Sequence, residues 1–111
     1  MDRIAFDEFA KLDIRIGKIL SASTVQGTER LIHMSVDIGE PEPRSIVAGM
    51  RQYYEPEEMT GKSVVVLTNL QPRNIRGILS DGMILAASTE GFQTVKLLTV
   101  DGDMPVGSKI S

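Results

Sequence analysis

The segment Leu31-Ile32-His33-Met34-Ser35-Val36-Asp37-Ile38 decides how this chain is expected to fold. Apolar side chains at positions 32, 34, 36 and 38 alternate with polar ones between them, a period of two that is typical of a strand with one buried face. The next residues, Gly39-Glu40-Pro41-Glu42-Pro43, contain two prolines and a glycine and therefore predict a turn. The chain is expected to reverse there and to return as a second strand.

A longer strand is predicted before this segment, over Asp13–Ser23. Its apolar residues Ile14, Ile16 and Leu20 are expected on one face, and Gly17 suits a bulge or a sharp bend. After the turn, strands are predicted over 44–50, 63–70, 82–88 and 95–100, and the run of valines within 63–70 indicates a buried one. The residues from 71 to 81 are predicted to form an exposed connection.

Two short helices complete the predicted elements. The spacing of Phe6 and Phe9 predicts an amphipathic helix over 6–12 that caps the fold and places both rings in the core. Pro56 near the start of residues 54–59 predicts one or two helical turns, because proline is tolerated at the first turn of a helix. Five main strands with a helix between the third and the fourth predict an all-β, five-stranded OB-fold barrel with a C-terminal β extension. An SH3-like barrel would not need that helix.

Composition limits the class of protein. A chain of 111 residues fits a single domain over 1–111. It has no cysteine, which excludes disulfides and thiolate metal sites and fits a reducing cytoplasm. No apolar run approaches the ~20 residues of a membrane helix, and the N-terminus lacks the pattern of a secretory signal. The chain is therefore expected in the cytoplasm, without a membrane partner.

The charge distribution is uneven. The formal net charge is −3, whereas nucleic-acid binders normally carry a basic surplus or a basic face. However, residues 59–80 contain no carboxylate and include Lys62, Arg73 and Arg76. A localised basic face is compatible with this pattern, although ordinary solvated charges would produce it too.

Signs of catalysis are missing. His33 is the only histidine and lies on the polar side of an alternating strand, where a surface role is expected, and one histidine without cysteine does not make a zinc site. Gly61-Lys62-Ser63 lacks the upstream glycine of a phosphate loop and leads into a strand. We therefore predict no catalytic residue, no metal and no cofactor. No strand carries a central aromatic residue, which disfavours a generic single-strand binder and favours recognition of folded RNA by shape.

A set of local motifs in fixed order is the most specific feature of the sequence. The set consists of Asp13-Ile14-Arg15-Ile16-Gly17-Lys18-Ile19, Val36-Asp37-Ile38-Gly39, Arg44-Ser45-Ile46-Val47-Ala48-Gly49, Tyr54-Glu55-Pro56-Glu57-Glu58-Met59-Thr60-Gly61-Lys62, Asn69-Leu70-Gln71-Pro72-Arg73, Arg76-Gly77 and Ser80-Asp81-Gly82-Met83-Ile84-Leu85-Ala86-Ala87. From about Phe6 to Ile110 the chain closely resembles the tRNA-binding domain family. That family includes the C-terminal or β-subunit domain of methionyl-tRNA synthetases, free-standing dimeric tRNA-binding proteins and the EMAP-II cytokine domain.

The resemblance implies an OB-fold that holds the elbow of tRNA by its shape, as a homodimer or as an accessory to a methionyl-tRNA synthetase, without doing covalent chemistry. It also implies the RNA-binding residues. Arg73 and Arg76 would contact phosphates, Ser80 would donate a hydrogen bond, and Met83 would pack against a base or sugar unless it is a core residue. Arg30 and Arg44 form a second tier of candidates.

The sequence departs from the family after the first strand. The family's usual His-Pro-Asn-Ala-Asp-Lys-Leu is replaced by Val25-Gln26-Gly27-Thr28-Glu29-Arg30-Leu31, so that Gly27 stands in place of the asparagine. Arg30 keeps the positive charge. An alternative function also stays open, because CsaA-like export chaperones share this fold and similar opening motifs, and the acidic net charge suits a protein-binding role.

Overall fold

A computed structural model describes the whole chain, from Met1 to Ser111. Two short helices and nine strands follow one another in an order that agrees with the predicted barrel. Their bounds are α1 Phe6–Ala10, β1 Ile14–Thr24, β2 Ile32–Asp37, β3 Arg44–Ala48, α2 Pro56–Met59, β4 Ser63–Leu67, β5 Arg73–Ile75, β6 Ile78–Ser80, β7 Met83–Ile84, β8 Ala86–Ser88 and β9 Val95–Leu97, and a single 3₁₀ turn, Glu90–Phe92, lies between β8 and β9.

The strands form one large antiparallel sheet and two small ones. The large sheet has the order β3-β2-β1-β4-β7, while β5 pairs with β6 and β8 with β9. The large sheet curls until its two outer strands, β3 and β7, approach each other. This nearly closed five-stranded barrel with two short helices and extra C-terminal strands confirms the predicted OB-like fold.

The seam between β3 and β7 is closed by the residues just before β7. The N–H of Asp81 donates to the carbonyl oxygen of Ser45 at 2.8 Å, and the N–H of Val47 donates to the hydroxyl oxygen of Ser80 at 2.9 Å. A backbone group left unpaired at such a place would cost as much as a lost hydrogen bond. Of these two contacts across the seam, one uses a backbone acceptor and the other a side-chain acceptor.

The barrel interior is filled by the alternating face of β2. Ile32, Met34 and Val36 are completely buried, as is Ile38 just beyond the strand, whereas the polar residues between them are only partly covered. This confirms the alternation on which the fold prediction was based. Val64 and Val66 of β4 join this interior, while Val65 and Leu67 face a second, smaller cluster on the outside of the barrel, so β4 is buried on both sides.

One residue of the predicted apolar face of β1 is not buried with the others. Ile14 and Ile16 belong to the outer cluster, but Leu20 is 49% exposed and Ile19 is completely buried instead. Ile19 lies two residues beyond Gly17, on the side of the strand that faces the interior, and a bulge follows it, because Ile19 pairs with Val36 and Ser21 with Ser35, which leaves Leu20 without a partner. The bulge thus lies three residues beyond Gly17.

Gly17 serves a different purpose in β1. A Cβ at this position would lie 3.0 Å from a methyl group of Val36 and 3.0 Å from one of Val66. The glycine therefore allows the neighbouring strands to approach closely inside the barrel.

Three further predictions need correction. Phe6 is 76% exposed, so only Phe9 of α1 packs on the protein, against the outer cluster. The exposed connection over 71–81 contains the β5–β6 hairpin. The strand predicted over 82–88 is split into β7 and β8 because Leu85, between them, donates its N–H to Val65 and accepts from Leu98.

None of the helices combines the length and the apolar composition needed to cross a bilayer.

The segment after β9 returns to β1. Ile16 donates its N–H to the oxygen of Ser108 and accepts from Gly107, both at 2.8 Å, and Ile110 donates to Ile14 at 2.8 Å. Since β2 pairs only with the part of β1 from Lys18 onward, this returning segment covers the remaining edge of β1. Gly39 and Gly107, both with positive φ, allow the turn after β2 and the returning segment to approach each other closely.

Candidate nucleic-acid interface

The β5–β6 hairpin presents the leading candidate arginines. Ile75 pairs with Ile78, so Arg76 and Gly77 alone form the turn, and their φ values of 53° and 82° are those of a type I′ turn. The side-chain oxygen of Asn74 accepts the N–H of Gly77 at 2.9 Å and stabilises the turn. A left-handed arginine is unfavourable compared with asparagine or glycine, so Arg76 at this tip is not explained by folding alone.

Arg76 lies beside the loop between β1 and β2. Together with Arg30, Gly27 and Thr28 it lines an open, wholly polar concavity that also contains the carboxylate of Glu29. A Cβ on Gly27 would lie 3.3 Å from the Nη1 atom of Arg76, so the guanidinium of Arg76 extends over this glycine. The substitution of the family's asparagine by Gly27 thus makes room for the arginine. Neither Arg30 nor Arg76 forms an ion pair within the protein.

Arg73, Ser80 and Met83 line a second depression, which we call the apolar groove. It has a volume of about 500 Å³, and 12 of its 18 lining residues are hydrophobic. Met83 is 42% exposed while Ile84 next to it is buried, so Met83 faces the groove and is not a core residue. Arg73, the first residue of β5, is exposed and has no ion-pair partner.

Ser80 is engaged inside the protein. It is only 7% exposed, and its hydroxyl oxygen accepts the N–H of Val47. The contact that the structure gives this side chain is therefore the closure of the barrel seam. A hydrogen bond from Ser80 to RNA stays a prediction, which would have to use the hydroxyl proton toward the groove.

Arg44 is set apart from the other candidate arginines. Its guanidinium forms a bidentate pair with Glu40, at 2.9 and 3.1 Å, and donates to the backbone oxygens of Thr68 and Asp81 at 2.8 and 3.2 Å. This hydrogen bonding with Glu40 raises the pKa of Arg44 and lowers the pKa of Glu40. The donors of Arg44 are thus already used by Glu40 and across the seam, and a contact between Arg44 and a phosphate stays a prediction.

Thus the structure brings five of the six candidates to two adjoining sites. Arg30 and Arg76 share the polar concavity, Arg73, Ser80 and Met83 share the apolar groove, and the β5–β6 hairpin connects the two. A phosphate backbone that follows the hairpin would meet Arg30, Arg76 and Arg73, none of which would first have to break an ion pair.

Two aromatic residues of the groove were not identified from the sequence as site residues. Phe92 is 66% exposed and has a φ of 57°, and the hydroxyl of Tyr53 donates to its carbonyl oxygen at 2.8 Å. The only signal in the sequence is the preceding Gly91, which marks a turn but does not say where the ring would point. His33, in contrast, lies as expected on its strand, with Nε2 2.8 Å from the hydroxyl of Ser45.

Comparison with known proteins agrees with this arrangement. A family described as "Putative tRNA binding domain" matches residues 14–109, and the chain therefore belongs to the tRNA-binding domain family. It is 48% identical over 111 residues to a methionine–tRNA ligase of Caldanaerobacter subterraneus and 49% identical over 107 residues to that of Methanosarcina mazei. These matches cover 100% and 96% of this chain but only 17% and 15% of the ligases.

Solved structures with the same fold extend the comparison. The chain is similar to a protein related to methionyl-tRNA synthetase from Pyrococcus horikoshii, with a TM-score of 0.93, 35% identity and full coverage of both chains. It is also similar to the chaperone CsaA from Bacillus anthracis, with a TM-score of 0.89, 29% identity and coverage of 99% and 100%. The match is thus to a tRNA-binding domain and not to the catalytic part of a ligase.

Proposed function

We propose that this domain is a non-catalytic module that binds tRNA by its folded shape. The observation that carries the proposal is the meeting of Arg30, Arg73 and Arg76 along one hairpin, free of internal ion pairs, while Arg44 is neutralised elsewhere. Positive side chains of this kind position a phosphate backbone, whereas readout of base edges would need convergent hydrogen-bonding groups. Membership of the tRNA-binding domain family supports tRNA as the RNA.

The net charge of −3 does not argue against this binding mode. Residues 59–80, which include the β5–β6 hairpin, contain no carboxylate, and Glu29 is the one acidic residue that lines the polar concavity. With a Debye length of about 8 Å at physiological ionic strength, carboxylates on other parts of the surface are largely screened from a phosphate at the hairpin. Local charge therefore decides the contact.

The test is a titration of unfractionated folded tRNA, with unstructured RNA of equal length as competitor, at two salt concentrations. Salt-sensitive binding that prefers folded tRNA is expected. The double variant R73A/R76A should bind more weakly, and its plot of log K against log salt should be shallower by about 1 to 2. The control R3A/K18A removes the same charge at exposed positions that line neither the polar concavity nor the apolar groove and should change neither value. An unaltered slope in R73A/R76A would place the site elsewhere.

We further propose that the module acts in the cytoplasm, either as a free-standing homodimer or as an accessory domain of a methionyl-tRNA synthetase. The high identity to methionine–tRNA ligases supports the second arrangement, and the similarity over the whole solved chain of a protein related to methionyl-tRNA synthetase supports the first. In a dimer, two RNA-binding faces on one particle would raise avidity. Light scattering at micromolar concentration measures the molar mass and so distinguishes a monomer from a dimer. A monomer at that concentration would exclude the homodimer.

A second candidate function is protein binding of the chaperone type. The structural similarity to CsaA and the acidic net charge favour it. A chaperone role predicts that an unfolded polypeptide binds the domain and that R73A/R76A leaves this binding unchanged. If tRNA fails to bind at low salt while an unfolded polypeptide binds, the chaperone function replaces the tRNA function.

A further inference from the structure

The apolar groove has a composition that phosphate binding does not explain. Val47, Met50, Ile84 and Val95 supply apolar lining, yet Met83 and Phe92 on the same groove are 42% and 66% exposed. A volume of about 500 Å³ lies within the range of sites that hold a small molecule, about 300–1,000 Å³. A surface of this kind marks the place where something apolar binds.

Phe92 gives the groove an aromatic platform that is held at a cost. Its φ of 57° is rare for a bulky residue, and such strain persists where the surroundings hold it in place. Here the hydroxyl of Tyr53 donates to the carbonyl oxygen of Phe92 at 2.8 Å, and the N–H of Phe92 donates to the carbonyl oxygen of Thr89 at 2.9 Å. These two contacts fix the backbone of an aromatic residue whose ring gains little from burial.

The charge of the groove narrows the choice of occupant. Arg73 is its only charged lining residue, and no carboxylate lines it. A second copy docked about a two-fold axis at the groove would bring two Arg73 side chains together without a partner for either. An occupant that is apolar and planar on one side and negatively charged on the other meets both parts of the site.

We propose that the apolar groove receives one unpaired nucleobase of the bound RNA, which stacks on Phe92 and packs against Met83 while Arg73 contacts the adjoining phosphate. This inference rests on the proposed RNA-binding function, because the phosphate backbone along Arg30 and Arg76 delivers the base. Unstacked bases of folded RNA are commonly held on aromatic side chains in this way. Stacking tolerates any base, so the groove adds affinity for exposed bases without reading sequence.

The direct test is methyl NMR of the full chain during titration with unfractionated tRNA, with heparin as a polyanion that has no bases. The proposal predicts that tRNA shifts the methyl signals of Met50, Met83 and Val95 by ring currents and that heparin does not. Binding of tRNA without shifts at these methyl groups would overturn the groove proposal and leave the RNA-binding function intact. If tRNA does not bind at all, both proposals fail. Shifts that depend on protein concentration without RNA would instead assign the groove to a second copy.

A variant series tests the role of the ring. Phe92→Leu should weaken tRNA binding about tenfold, the effect of losing roughly one base–aromatic stack, with an unchanged salt slope because no phosphate contact is lost. Phe92→Tyr should bind like the unmodified chain. Leu79→Ala, which removes a 55% exposed apolar side chain of the β5–β6 hairpin outside the groove, is the control. Equal binding by the Leu and Tyr variants would contradict stacking.

Discussion

The hydroxyl oxygen of Ser80 accepts the backbone N–H of Val47 at 2.9 Å, and this contact helps to close the barrel. The neighbouring Gly82 has a φ of 129°, and a Cβ there would lie 3.2 Å from the side chain of Ile46. The Ser-Asp-Gly-Met stretch therefore has two functions in the molecule. Its first three residues fix the seam between β3 and β7, and Met83 is the one whose side chain is exposed at the groove.

Ser80→Ala is expected to destabilise the domain by about 1–3 kcal/mol. The N–H of Val47, which is 8% exposed, would lose its acceptor and stay buried without a partner. The free energy of unfolding, measured with urea, checks this value. Ser88→Ala, at an exposed position of β8 that also lines the groove, should remain within about 0.5 kcal/mol of the unmodified chain. Equal stability of the two variants would show that the seam does not depend on this hydroxyl.

Gly17→Ala should cost about 1–3 kcal/mol by overpacking. The added methyl group would lie 3.0 Å from Val36 and Val66 and 3.2 Å from the backbone oxygen of Asp37, and the last of these cannot rotate away. Gly49→Ala is the matched control, since nothing lies within 4 Å of a Cβ there. Thermal unfolding of both variants distinguishes the two environments. A Gly17 variant as stable as the Gly49 variant would mean that the strands can separate freely at this point.

Arg76→Asn should stabilise the domain while weakening tRNA binding. Asn-Gly is the preferred pair for a type I′ turn, so relief of the left-handed arginine is expected to add some tenths of a kcal/mol. At the same time one phosphate contact is lost, which should reduce the salt slope by about 0.7 to 0.9. Urea unfolding and a tRNA titration on the same preparation measure both effects. Loss of stability together with loss of binding would refute a functional reason for arginine at this turn.

The stability of the domain should fall on acidification below pH about 5. Hydrogen bonds from Arg44 lower the pKa of Glu40, and hydrogen bonds from Arg15 lower the pKa of Asp13. The folded state therefore binds these protons less readily than the unfolded state, so the stabilisation is complete above the ordinary carboxyl pKa of about 4 and is lost as pH falls through the folded values. Urea unfolding between pH 7 and pH 3 measures the decline.

Glu40→Gln isolates the contribution of the ion pair to this decline. The variant should be slightly less stable at pH 7 and should lose less stability on acidification than the unmodified chain. Glu42→Gln, in the same turn but without an ion pair, should follow the unmodified chain at every pH. If the stability of the Glu40 and Glu42 variants falls alike on acidification, the ion pair between Glu40 and Arg44 does not contribute to the decline.

The sequence predicted the barrel because its interior follows a simple rule. The alternation from Ile32 to Ile38 and the valine run of β4 reflect which faces are buried, and both survive unchanged in the structure. The exposure of Leu20 was not predictable in this way, because the spacing indicates a face of β1 but not how far along that face the outer cluster of Ile14 and Ile16 extends. Phe6 failed for a similar reason, since helical spacing indicates a face but not whether anything covers it.

The candidate site was predictable only in part. The sequence placed Arg73 and Arg76 on one exposed connection, but it could not distinguish a free arginine from a paired one, and Arg44 proved to be held by Glu40. The family resemblance assigned Ser80 a role in RNA binding. Its contact at the seam depends on the approach of two strands that are far apart in sequence. The position of Arg30 and Arg76 in the same polar concavity likewise follows from tertiary structure alone.

The segment that returns along β1 has a consequence for how the molecule assembles. Its hydrogen bonds join Ile16 to Gly107 and Ser108, so they form only after nearly the whole barrel has been connected. Contacts so distant in sequence form late during folding. Until they form, the first half of β1 presents a bare strand edge on which another chain can pair, and aggregation during refolding is expected to begin there.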